Sequence, residues 1–189
     1  MAAPGAEVRH LARFSIAGAL SGAFFLATPV RADPQGHLAL RAAPCGVGDD
    51  GRLWESTRFC GGFVGDLLLF RQRNRDVGFG PYFEVLTAGF WDARFGGGAS
   101  LLLPVTDSFP LVVSVGAFDH ELRAASVGAT LFWGNRSYNF DSTYNYALGV
   151  YASGYRDLDA GGGTLVSLGV ELDTFFLVAP FLLAFQAVR

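Results

Sequence analysis

The chain has 189 residues, 51% of them hydrophobic and only 16% charged, with 25 glycines and a formal net charge of −3. A chain so rich in apolar residues is not disordered. All of its basic residues are arginines, and with no net basic excess a nucleic-acid partner is not expected.

In chain order the first element is an address. Arg9, His10 and Arg13 precede Phe14–Ala27, an uncharged and mostly apolar run, and Val30-Arg31-Ala32 sets small residues before a cut ahead of Asp33. The run is shorter than the roughly 20 residues of a membrane-spanning helix. Residues 1–32 therefore read as a cleaved signal peptide, with a retained anchor as the alternative, and 33–189 as one domain. Export makes a disulfide the natural state of Cys45 and Cys60, the two cysteines of the chain. Two cysteines without a nearby histidine cannot fill a tetrahedral zinc site, so neither a metal nor another cofactor is expected.

The remaining segments read as strands. Nine candidates follow one another: 37–44, 57–71, 77–90, 92–104, 109–119, 123–134, 143–155, 162–173 and 175–187. Their uncharged stretches are short for membrane helices and suit tilted transmembrane strands of about 9 to 11 residues. Glycine recurs through them, which helix interiors resist. Charged or polar connectors such as RQRNRD at 71–76, PVTDSF at 104–109 and RDLDAGG at 156–162 separate them, as in antiparallel hairpins. Bacterial single-chain barrels have even strand numbers, and eight strands are expected. Either 37–44 is then a short periplasmic or plugging segment, or 175–187, which lacks alternation and carries Pro180, is not a separate strand.

Period-two alternation gives the strands two unlike faces. Ala93, Phe95, Gly97, Ala99, Leu101 and Leu103 oppose Asp92, Arg94, Gly96, Gly98, Ser100 and Leu102; Val166, Leu168 and Val170 oppose Ser167, Gly169 and Glu171. The small and polar face suits the inside of a narrow closed barrel, and the aliphatic face suits lipid. Trp91, Phe118, Trp133, Tyr144 and Tyr155, near strand ends, fit interfacial girdles. The expected fold is all-β, an antiparallel up-and-down transmembrane barrel.

With signal peptide, strand length, alternation and hairpin order in place, the mature chain resembles the small outer-membrane β-barrel proteins of Gram-negative bacteria. The resemblance implies an outer-membrane location, with outer-membrane lipids and the outer-membrane assembly machinery as partners. Such barrels usually end in an aromatic residue, whereas here Phe185 precedes the terminal Arg189 by four positions.

Few residues offer chemistry. By parity Asp66, Glu84, Arg94, Glu171 and Asp173 face the lumen, with Glu84 and Arg94 within diagonal cross-strand reach. They read as a salt-bridge network sealing the barrel, because unpaired buried charge is costly. The alternative is an acidic path for a small cation or polar solute. His120, flanked by Asp119 and Glu121, reads as a solvated turn residue in preference to a general base or metal ligand. Ser126 and Ser167 face the lumen with no recognisable catalytic spacing, and GFGPY at 78–82 and FGGGAS at 95–100 lack the context of phosphate loops. Arg71, Arg73 and Arg75 form a charged hairpin tip, either an ordinary loop or a contact with anionic lipid headgroups or surface polysaccharide. The expected function is non-enzymatic: structural, surface-interacting or a minor channel. The alternatives are an outer-membrane lipid-modifying enzyme and a secreted soluble barrel carrying an apolar ligand.

Overall fold

In the computed structural model every strand so patterned has a partner on both sides. The structure describes residues 34–49, 52–120, 124–136, 146–159 and 162–187; the signal-peptide reading and Tyr144 lie outside them. Eight strands, β1 (Gln35–Gly48), β2 (Ser56–Leu68), β3 (Gly78–Ala88), β4 (Asp92–Leu103), β5 (Leu111–His120), β6 (Ala124–Arg136), β7 (Ala147–Asp157) and β8 (Thr164–Asp173), are followed by helix α1 (Phe175–Ala187). Each strand pairs antiparallel with its chain neighbours, and β8 returns to β1 to close an up-and-down barrel.

Closure resolves the strand count. Segment 37–44 is the middle of β1, paired with both β2 and β8, so it is wall and not plug. Segment 175–187 is not a strand. Its sequence is apolar but for Gln186 and lacks a period of two, and the closed barrel offers no edge for a ninth strand. Asp173 Oδ1 accepts from the Phe175 N–H at 2.7 Å, satisfying one of the unpaired donors at the helix start.

Each ladder keeps one register along its length, as between Gln35↔Leu68 and Val47↔Ser56, so inward and outward positions never exchange. Inward glycines make room for large rings. A Cβ on Gly128 would sit 2.4 Å from the Tyr155 ring, and one on Gly96 would sit 2.8 Å from Phe118. Phe118 and Tyr155 pack edge to face, their centroids 5.1 Å apart, and both are buried. These two aromatics therefore fill the lumen and do not belong to a girdle. Their inward parity outweighs their position near strand ends. Trp91 and Trp133 do face outward.

The outer wall is apolar. Between its rims the outward positions are Gly, Ala, Pro, Val, Leu and Phe, as in Phe79, Phe83 and Val85 of β3 or Leu148, Val150 and Ala152 of β7. Aromatic contacts mark both ends: Phe59 with Phe90 at 5.8 Å at one, Phe109 with Trp133 at 6.2 Å at the other. At the β3–β4 turn both Gly89 (φ 65°) and Phe90 (φ 67°) are left-handed. That conformation suits tight hairpins but is strained for Phe.

Candidate functional site

The inward positions of the strands bring charge to the axis. Arg41, at the centre of β1, is the hub. Its Nη1 lies 2.9 Å from Glu84 of β3, and its Nε and Nη2 each lie 2.8 Å from Glu171 Oε2 of β8. Its guanidinium also sits 4.6 Å above the Tyr151 ring of β7. Tyr82 donates to Glu84. Toward the end that carries α1, His37 Nε2 is 3.5 Å from Glu171 Oε1, and its Nδ1 is 3.9 Å from Asp66. Arg136 pairs with Asp66, and Arg71 Nη2 donates to the Arg136 carbonyl at 3.4 Å. Hydroxyl pairs Ser100–Ser114 and Ser153–Ser167, each 2.6 Å apart, add further cross-strand polar contacts. All of these groups are buried.

A second cluster lies at the opposite mouth. Arg94 grips Asp157 with Nη1 at 2.5 Å and Nη2 at 3.2 Å. His120, the last residue of β5, holds Asp157 Oδ2 at 3.0 Å through Nδ1 and Asp92 Oδ1 at 2.7 Å through Nε2. Arg58 approaches Asp92 at 3.7 Å. His120 is thus not a solvated turn residue; cross-strand carboxylates from β4 and β7 hold it with 23% of its side chain exposed. Nδ1 is within hydrogen-bonding geometry of Asp157, and Nε2 faces the Asp92 carboxylate. Ser126 donates its hydroxyl to the Phe118 carbonyl at 3.3 Å.

Cys45 and Cys60 are joined by a disulfide, with Cα atoms 5.8 Å apart, and it cross-links β1 to β2 inside the barrel. Asp66, Glu84, Arg94, Glu171 and Asp173 all project inward and are buried. The expected Glu84–Arg94 contact is replaced: Glu84 takes Arg41, and Arg94 takes Asp157. The closed lumen explains the exchange, because inward side chains meet across it: Arg41 of β1 with Glu84 of β3, and Arg94 of β4 with Asp157 of β7. The hub itself escaped the sequence reading. His37, Ala39, Arg41, Ala43 and Cys45 share one parity, a signal that becomes readable only once 37–44 is taken as wall. Arg136 and Asp157 lie just beyond the strand ends read from the sequence.

Among the described residues no group of three or more His, Cys, Asp or Glu is placed to hold a metal ion. Fold and interior together define a class: a closed eight-stranded antiparallel barrel with a filled, charge-paired interior and an apolar wall. No protein-family model, curated protein or solved structure matches the chain.

Proposed function

We propose that this protein is a bacterial outer-membrane β-barrel, exported through a signal peptide of residues 1–32 that is then cleaved, whose role is structural or surface-interacting and not catalytic. One observation carries the reading. Among the described strand residues the outward charges are Asp119 and Arg156, both at one rim, whereas the inward face carries Arg41, Asp66, Glu84, Arg94, Arg136, Asp157, Glu171 and Asp173. Water would favour the reverse arrangement. A bilayer favours this one, since hydrocarbon accepts apolar side chains and a closed barrel leaves no unpaired backbone edge.

The same observation argues against an apolar-ligand carrier, which needs an apolar interior. The ion pairs argue against a minor channel: the axial carboxylates Asp66, Glu84 and Glu171 are each met by an arginine or histidine, and an eight-stranded interior is just filled by side chains. A lipid-modifying enzyme would need a free imidazole nitrogen beside a serine, and the His120 contacts weigh against it. The proposed partners are outer-membrane lipids and the outer-membrane assembly machinery.

The test is expression of the full chain followed by membrane fractionation and electrophoresis with and without boiling. The expected result is an outer-membrane band whose mobility changes on boiling, and no conductance steps in a planar bilayer. A soluble periplasmic protein with no mobility shift would overturn the reading.

A further inference from the structure

Helix α1 begins where β8 ends, and its first turn is partly exposed. Four consecutive residues, Phe175, Phe176, Leu177 and Val178, are exposed at 41%, 46%, 46% and 49%. Successive helical residues advance about 100°, so four in a row sweep nearly the whole circumference. No side of this first turn is therefore fully buried against the barrel wall. Phe185, in the last turn, is 69% exposed. The sequence is uncharged from Thr174 to Val188, and the helix carries no acidic residue in its first turn and no basic residue in its last.

This isotropy identifies the surroundings. A helix docked on a protein groove needs one apolar face and keeps a polar one for water, and a helix lying at a membrane surface shows the same two-sidedness. A helix apolar all round matches a medium that is apolar all round. Its position agrees: Phe175 and Phe176 pack on Tyr146, with ring centroids 5.0 Å and 6.5 Å apart, at the end of the wall that also bears the Phe109–Trp133 aromatic pair. The helix therefore starts at the edge of the outer apolar belt.

We propose that α1 is a second lipid-embedded element, lying in the acyl region of the leaflet at the end of the barrel where β1 begins and β8 ends. The inference rests on the reading of the barrel as a membrane protein. Thirteen residues span about 20 Å, less than the hydrocarbon thickness of about 30 Å. Among the described residues no helix is long and apolar enough to cross a membrane. The helix is therefore too short to traverse the bilayer. Pro180 has no N–H to donate to the Phe176 carbonyl. Its chemical partner is phospholipid acyl chain, and its effect is to widen the barrel's hold on one leaflet.

The experiment places a nitroxide label on single cysteines in the full mature chain, Cys45 and Cys60 being consumed by their disulfide. The variants are Leu131→Cys on the outer wall, Val178→Cys and Phe185→Cys. Each is reconstituted in phosphatidylethanolamine/phosphatidylglycerol vesicles, and collision rates with oxygen and with a water-soluble nickel chelate are compared. Oxygen should dominate several-fold at all three positions. Nickel dominance at 178 and 185 with oxygen dominance at 131 would place the helix in water and overturn the proposal while leaving the barrel in lipid. Weak collision with both reagents at 178 would show a protein contact, such as a second copy of the chain, and would also overturn it. Nickel dominance at 131 would remove the membrane reading and the helix proposal together.

Discussion

The barrel holds two arginine–carboxylate clusters built from the same chemistry in different solvent. Around Arg41 every participant is dry: Glu84 and Glu171 are each 1% exposed, and the partners come from β1, β3 and β8. Around Arg94 the pair with Asp157 is buried, but it grades into His120, Asp92 and a half-exposed Arg58 at the mouth. The first cluster has no substitute for a lost partner, whereas water can replace one in the second. Identical functional groups thus serve as a structural tie in one place and as a hydrated rim in the other, and burial decides which.

Several substitutions would sharpen or break this contrast. The largest effect is expected at the hub. Arg41→Met strands two buried carboxylates and should destabilise the barrel by about 3–5 kcal/mol. Urea unfolding in detergent micelles would measure it, and an unchanged midpoint would dissolve the distinction between the clusters. Adding Glu84→Gln and Glu171→Gln to that variant should recover much of the loss, since no unpaired charge remains.

Replacing Cys45 and Cys60 together by serine comes next. The bond closes a loop of sequence separation 15, which corresponds to about 3 kcal/mol of unfolded-state entropy. The same urea experiment, with and without reductant, checks this, and reductant should leave the double variant unaffected.

At the rim, His120→Ala should cost about 1 kcal/mol, the net worth of ordinary hydrogen bonds that water can partly replace. A loss as large as that of Arg41→Met would mean that the mouth is as dry as the centre.

The smallest effect belongs to the loops at the α1 end, where Arg75 binds Asp107 through Nε at 2.5 Å and Nη2 at 3.1 Å on an open surface. The hydrogen bond from Arg75, followed by its charge, holds the Asp107 carboxyl below the ordinary carboxylate value. A lowered carboxyl contributes while it is ionised, so this contact persists at neutral pH and is lost as pH falls through the lowered value. Arg75→Ala should leave the unfolding midpoint unchanged and move the Asp107 titration upward in a carbon-detected NMR experiment. No movement would show that the pair does not form in solution.

Much of this architecture was present in the local pattern. Alternation in β4 through β8 assigned inward and outward faces residue by residue, because a period of two is a property of the strand itself. Ser100, Ser114, Thr130, Ser153 and Glu171 all lie on the face their parity indicates. The cysteine pair was legible for a similar reason, there being no other cysteine to choose. The helical state of 175–187 was half legible: loss of alternation and Pro180 argued against a strand without indicating a helix.

Residue order alone thus assigns the faces: which residues turn toward the axis and which turn away. Pairing was decided only by closure. Whether Glu84 meets Arg94 or Arg41, and whether His120 is free or clasped between Asp92 and Asp157, depends on which strands curve back to share the axis. Local periodicity carries no such information, because it fixes the direction of a side chain relative to its own strand. The distance to a charge 130 residues away, as from Arg41 to Glu171, is set by the β8–β1 seam alone.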